Sequence, residues 1–159
     1  MKHTKLLAVI LAMGLLCGCT RARRFGVWEL EKRLCEADKS YAFDTEGMFR
    51  KDGIYHIFYR TENGTLLLKA KEDERQRLTD LSLTLALAEP DAAAAFSALA
   101  CVMTDVFLPE EDRADAKAAL GLADPASFFA DETLTAEYGR YSAVLFKTVK
   151  GVSLLLRYR

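Results

Sequence analysis

Beyond its first 25 residues, the hydrophobic and polar positions of the chain follow two different periods. Val27, Leu30, Leu34 and Ala37 recur at helical spacing, with charged residues between them, which predicts an amphipathic helix over residues 27–39. The period then changes to two, and β-branched and aromatic residues become frequent. This alternation predicts four strands, at residues 41–50, 54–60, 65–71 and 78–88.

Turn residues separate these predicted strands. Asp52–Gly53 and Asn63–Gly64 are typical of tight hairpin turns, because both dipeptides tolerate positive φ. The charged segment 72–77 is expected to be a solvated connection. In the fourth strand Leu81, Leu83, Leu85 and Leu87 alternate with polar residues, so one face should be buried and the other open. The four strands are therefore expected to form an antiparallel meander.

The second half of the chain begins with helical patterns. Pro90 suits a helix start, and an apolar stripe containing Phe96, Leu99 and Met103 predicts a core helix to about residue 107. Residues 109–121 predict a second helix, with acidic residues at its start and Gly121 at its end. Residues 123–133 are expected to be a loop with at most one helical turn. Two last strands, 141–149 and 152–159, are predicted to form a hairpin around Lys150–Gly151.

Strands grouped apart from helices indicate the α+β class rather than a parallel α/β sheet. We expect a single α+β domain over residues 26–159, with its helices packed on one face of the sheet. In that arrangement the Phe96–Leu99–Met103 stripe contacts the leucines of the fourth strand.

The first 18 residues have the organisation of an export signal. Lys2 and Lys5 precede an apolar run, Leu6–Leu16, which is about half of the roughly 20 residues that a spanning helix needs. The alternative is an N-terminal core helix of a cytosolic protein, but the order of charge and apolar run favours a signal peptide over residues 1–18.

The end of the apolar run carries a specific motif. Leu16, Gly18 and Cys19 occupy the positions of leucine, small residue and cysteine in a lipobox, and the segment resembles that of bacterial lipoproteins. Cys17 departs from the family, which has Ala, Ser or Thr more often there. The resemblance implies cleavage before Cys19 by signal peptidase II and a diacylglycerol on the Cys19 sulfur. The protein would then be held on the extracytoplasmic face of a cell membrane, or of an outer membrane.

Residues 19–25 are expected to form a short basic tether between the lipid and the domain. Arg21, Arg23 and Arg24 would each add about 1 kcal/mol of attraction to an anionic bilayer. A solvated basic linker is an equally good interpretation of the same residues.

Composition narrows the classes of partner. The 159 residues carry a formal charge of −1, and loss of Lys2 and Lys5 with the signal peptide changes it to −3. Apart from the tether there is no basic cluster, which argues against nucleic-acid binding.

Cys35 and Cys101 are the other two cysteines of the processed chain. Outside the cytoplasm they could form a disulfide between two predicted helices. The alternative is a pair of buried thiols that pack as small hydrophobic side chains.

The known motifs of catalysis and metal binding are absent from the sequence. No phosphate-binding glycine loop, HExxH or GxSxG motif is present. His56, on the face of its strand that carries Ile54 and Phe58, is expected to be a packing residue. One histidine and two separated cysteines do not supply a zinc site, and the acidic runs lack the spacing of a calcium loop. We therefore predict no metal, no cofactor and no assigned catalytic residue.

The second strand is apolar or aromatic on both faces. Tyr55, Ile57 and Tyr59 share one face, opposite His56. Either a second layer covers that face, or Tyr55 and Tyr59 form an exposed aromatic patch of the kind that binds partners.

Two classes of function remain open. The first is a membrane-anchored binding module of the bacterial cell envelope with a protein partner. The second is an extracytoplasmic enzyme with a carboxylate- or tyrosine-based site.

Overall fold

The computed structural model of the protein describes residues 24–61, 64–86, 90–148 and 151–159. Within these ranges the chain has three α-helices and seven strands. The helices are α1 (Val27–Ala37), α2 (Pro90–Phe107) and α3 (Glu110–Ala119). The strands are β1 (Phe49–Lys51), β2 (Ile54–Thr61), β3 (Gly64–Glu72), β4 (Leu78–Ala86), β5 (Glu132–Tyr138), β6 (Tyr141–Thr148) and β7 (Gly151–Tyr158).

The seven strands form one antiparallel sheet in the order β1-β2-β3-β4-β7-β6-β5. The α+β class is thus confirmed, whereas the predicted four-strand meander and separate hairpin match only in part. Strand β4 pairs with β7, with Leu83 opposite Leu154, and this pairing joins both groups of strands into a single sheet. Leu87, Asn63 and Lys150, which belong to predicted elements, lie outside the described residues.

Strand β5 is the largest difference from the sequence prediction, which ended in a two-stranded hairpin. The predicted loop contains a 3₁₀ turn, Pro125–Phe129, and its last two residues already belong to β5, which pairs along its whole length with β6. Tyr138 lies opposite Tyr141, and Gly139 between them has φ of +58°. A glycine at the first central position of a two-residue turn is a hairpin signal, and it marks the missed strand.

The predicted strand at residues 41–50 is mostly wrong, because only Phe49–Lys51 pairs with β2. Two aspartates hold the backbone before it in turns. The Asp38 carboxylate accepts a hydrogen bond from Ser40 N, and the Asp44 carboxylate accepts one from Glu46 N. Such local bonds compete with a sheet ladder, so the alternation of apolar residues does not produce a strand.

The helices cover one face of the sheet, and the core lies between them. The buried strand residues alternate with exposed ones and share this face, as Leu68, Leu83 and Leu154 do on adjacent strands. Leu30 and Leu34 of α1, with Phe96, Leu99 and Met103 of α2, belong to the same buried cluster. Among the described residues, the predicted buried face of the fourth strand and the predicted apolar stripe of α2 are therefore confirmed.

The loop from residue 72 to residue 77 holds the start of the domain and is not simply solvated. The Glu72 carboxylate accepts a 2.7 Å hydrogen bond from Val27 N at the start of α1. A Cβ at Gly26 would lie 2.8 Å from Gln76 O, so only glycine permits this close approach. Hydrogen bonds from the Arg77 side chain lower the pKa of Asp73 to about 2.

The last two residues of the predicted tether belong to the fold. Arg24 Nη2 donates a 3.1 Å hydrogen bond to Leu78 O, and Phe25 O accepts one of 2.8 Å from Leu78 N. The predicted tether, residues 19–25, thus overlaps the folded domain at Arg24 and Phe25, and its residues 19–23 lie outside the described residues. Among the described residues, no helix is both long and apolar enough to cross a membrane.

Candidate functional site

The face of the sheet opposite the helices, here called the open face, is the most extensive candidate surface. Its residues alternate with the core residues along every strand and, apart from Ser142, are half-buried or exposed. From β1 to β5 the open face carries Phe49, Lys51, Ile54, His56, Phe58, Leu67, Lys69, Lys71, Asp80, Ser82, Thr84, Ser153, Leu155, Arg157, Ser142, Val144, Phe146, Thr133, Thr135 and Glu137.

An aromatic cluster occupies one side of the open face. The rings of Phe49 and His56 are stacked with centroids 4.6 Å apart, and Phe58 lies 6.2 Å from Phe49. Phe49 and Phe58 are 47% and 37% exposed, which is unusual for such large apolar side chains. Burial and the charges of Lys69 and Lys51 lower the pKa of His56, so the ring is neutral at pH 7 and extends the apolar surface.

Lysines border this cluster. Lys51 of β1 and Lys71 of β3 lie on either side of Ile54 in β2, and Lys69 lies two residues before Lys71 on the same face. Within the described part of the chain, no ion pair joins these lysines to an acid. The nearest acid across the sheet, Asp80, accepts a 2.6 Å hydrogen bond from Arg157 Nε. The β1–β3 side of the open face thus combines exposed aromatic rings with unpaired positive charge.

The middle of the open face is polar. Ser82, Thr84 and Ser153 lie there, and Ser153 Oγ donates a 3.1 Å hydrogen bond to Thr84 Oγ1. Beyond them Phe146, which is 45% exposed, forms a second apolar region with Leu155. Hydroxyl groups therefore lie between the two apolar regions of the open face, and they can donate and accept hydrogen bonds there.

The two tyrosines of the predicted patch lie on the other face of the sheet. Tyr59 is only 9% exposed, and its ring contacts those of Tyr41 and Phe43, which follow α1. Tyr55 is half-buried on the same face. The exposed-patch prediction is therefore wrong for Tyr59, because the segment after α1 covers it. The exposed aromatic residues of β2 and its neighbour are Phe58 and Phe49.

Tyr59 contributes to stability through its hydroxyl group as well as its ring. The hydroxyl donates a 2.9 Å hydrogen bond to Tyr41 O. Because Tyr59→Phe leaves that carbonyl unpaired, we expect the free energy of unfolding to fall by about 0.5–1.5 kcal/mol. Chemical denaturation measures this loss. Tyr55→Phe is the control, since the Tyr55 hydroxyl bonds to no described residue, and an equal loss in both variants would contradict the assignment.

Cys35 and Cys101 carry free, half-buried thiols in this structure. Burial raises the pKa of both thiols, so both remain protonated at neutral pH and are weak nucleophiles. They do not form a catalytic pair with His56, which lies on the open face. Their pairing in an oxidising compartment stays a prediction.

The described residues offer little to an acid–base mechanism. Tyr138 donates a 2.7 Å hydrogen bond to Asp115 Oδ2, and desolvation together with this bond raises the pKa of Tyr138 to about 12. This tyrosine–carboxylate hydrogen bond lies at the exposed surface. Within the described ranges, no group of three histidine, cysteine or acidic residues is placed to hold a metal ion.

The predicted lipobox, including Cys19, lies outside the described residues. Comparison of the chain with protein-family models, curated proteins and solved structures found no match. The functional interpretation therefore depends on the residues themselves.

Proposed function

We propose that this protein is a small lipoprotein of the bacterial cell envelope that binds an acidic protein partner through the open face. In this proposal residues 1–18 are a signal peptide, Cys19 carries the lipid, and the single α+β domain follows. The observation that supports binding is the pair of exposed apolar regions on a sheet face that none of the three described helices covers.

The fold limits how far the domain can move from the membrane. Arg24 is fixed to Leu78 and Asp73, so only five residue steps separate it from Cys19. Fully extended, these steps span about 18 Å. The end of the sheet that holds Arg24 also carries the β1–β2 turn and the end of β7, so this end would be closest to the bilayer. The open face would then rise from the membrane, accessible to another envelope protein.

The chemistry of the open face indicates what kind of partner fits. Lys51, Lys69 and Lys71 favour a surface with exposed carboxylates, and Phe49, Phe58 and Phe146 favour apolar side chains beside them. The central hydroxyl groups favour a partner with directional donors and acceptors, which a polypeptide supplies and hydrocarbon does not. An acidic protein surface satisfies all three requirements.

Site-specific photocrosslinking in cells tests this proposal. A benzophenone amino acid at position 58 or 146 should form an adduct with an envelope protein, and the crosslinked peptide should be rich in Asp and Glu. The same group at position 28 is the control, because Trp28 is 57% exposed on α1, away from the open face. Mass spectrometry identifies the adducts.

Charge reversal supplies the second part of this experiment. Lys69→Glu combined with Lys71→Glu should lower the adduct yield about tenfold, because two attractive contacts become repulsive. Lys32→Glu, an exposed position of α1, should leave the yield unchanged. Adducts with lipid alone, adducts with a second copy of this chain, or a yield indifferent to Lys69 and Lys71 would contradict an acidic protein partner.

A further inference from the structure

A second candidate site is a small cavity beneath the start of the domain, on the helix-covered side. Its volume is about 90 Å³, and its walls include Arg24, Arg33, Arg113, Phe107, Tyr141 and Tyr158. The arginines come from three different places: the segment before α1, α1 itself, and α3. No carboxylate of the described residues lines the cavity. The fold thus brings three guanidinium groups to one apolar, aromatic hollow.

Each of these arginines is held in position by the protein. Arg33 Nε donates a 3.0 Å hydrogen bond to Glu29, and its guanidinium lies 4.2 Å from the centre of the Phe25 ring. Arg113 Nε donates a 3.1 Å hydrogen bond to Leu108 O. A guanidinium has five N–H donors, so these contacts leave further donors for a ligand.

Arg24 is the most informative of the three. Its guanidinium lies 4.1 Å from the centre of the Tyr158 ring, and Nη2 is 3.4 Å from Asp73 Oδ2. Its Nε is buried and has no hydrogen-bond acceptor among the described residues. A buried donor on a charged group without an acceptor is costly, and natural structures rarely retain one without a purpose. An oxygen atom of a bound anion would supply the missing acceptor.

We propose that this cavity, here called the arginine cavity, binds a small oxyanion on an apolar body, such as a phosphate monoester or a carboxylate. Planar guanidinium groups match the paired oxygens of both anions, and the aromatic walls match the apolar body. The volume of the cavity suits one anionic group rather than a large cofactor. The proposal does not depend on the open face or its partner.

Titration of the full chain, purified in detergent, tests the arginine cavity. Isothermal titration calorimetry should show saturable binding of phenyl phosphate at one site, and weaker binding of inorganic phosphate, which lacks the apolar body. In an NMR spectrum of arginine Nε–H groups, the Arg24 resonance should move with the same saturation. A titration without saturable heat, or without a shift of the Arg24 resonance, would overturn the proposal.

Substitutions locate the binding. Arg33→Gln and Arg113→Gln should each weaken phenyl phosphate binding about tenfold or more, because each removes a charged donor. Arg50→Gln is the matched control, since Arg50 lies over the Tyr55 ring outside the cavity. Arg24 itself is left intact, because it also holds Leu78. If both cavity variants keep the wild-type melting temperature and the wild-type affinity, the cavity is not the site.

Competition with vesicles distinguishes two sources of the anion. Phosphatidylcholine vesicles that contain phosphatidic acid displace phenyl phosphate if a lipid headgroup can enter the cavity from the membrane. If they do not compete while phenyl phosphate still binds, the ligand is a free small molecule. Either result supports an oxyanion site and fixes its source.

Discussion

Replacing Leu83 with alanine is expected to lower the free energy of unfolding by about 2–5 kcal/mol. Leu83 is in the centre of β4 and 0% exposed, with Leu68 and Leu154 beside it on the neighbouring strands. Truncation loses the transfer free energy of the side chain and leaves a cavity that the sheet and α2 cannot fully close. Since a domain of this size has about 5–15 kcal/mol of stability in total, the melting temperature should fall by many degrees.

Thr84 provides the matched control, because it follows Leu83 in β4 and points to the open face. Thr84→Ala removes only a hydroxyl contact with Ser153 on a half-buried surface. We expect it to cost less than about 1 kcal/mol. Equal losses in the two variants would contradict the assigned burial of Leu83. A larger loss for Thr84 would mean that the strand is one residue out of phase and that its faces are exchanged.

Elements with a strong local signal were predictable from the sequence. Helix α2 runs from Pro90 to Phe107 as predicted, since its apolar stripe is long and proline fixes its start. The helix predicted at 109–121 has regular structure over Glu110–Ala119, and Gly121, at φ of +61°, follows its end as expected. In both cases the residues that define the helix lie within it or directly beside its ends.

Elements that depend on distant pairing were not predictable. Strand β5 has few buried residues, and its partner β6 supplies the ladder that makes it a strand. The segment 41–48 has apolar alternation, but local hydrogen bonds to the carboxylates of Asp38 and Asp44 hold the backbone there in turns. Local patterns cannot show which of two competing sets of hydrogen bonds is made.

The candidate surfaces show the same limit. β2 is apolar on both faces, so alternation alone could not decide that Tyr59 is covered and Phe58 exposed. The segment after α1 decides it, because it covers Tyr59 and accepts a hydrogen bond from the Tyr59 hydroxyl at Tyr41 O, 18 positions earlier in the chain. The arginine cavity was missed for a similar reason: residues 24, 33 and 113 meet only in the folded chain. The three lysines of β1 and β3 could have been found from the hairpin register, had the covered face been known.

Replacing Cys19 with alanine is expected to abolish lipidation of the protein. In the proposed lipoprotein the Cys19 thiolate forms the bond to diacylglycerol, and no other side chain at that position can do so. Each buried CH₂ group contributes about 0.8 kcal/mol, so two or three acyl chains hold the protein where one would not. Cys19→Ala should therefore incorporate no labelled palmitate, and it should accumulate as a precursor that retains residues 1–18.

Cys17 offers a control two residues away. Cys17→Ala brings the lipobox closer to the common pattern of the family and leaves Cys19 in place, so palmitate labelling and cleavage should continue at the wild-type level. Labelling that persists in Cys19→Ala, or a wild-type protein found wholly in the soluble fraction, would refute the lipoprotein proposal. Labelling that is lost in Cys17→Ala but kept in Cys19→Ala would show that the lipid is attached to Cys17 and not to Cys19.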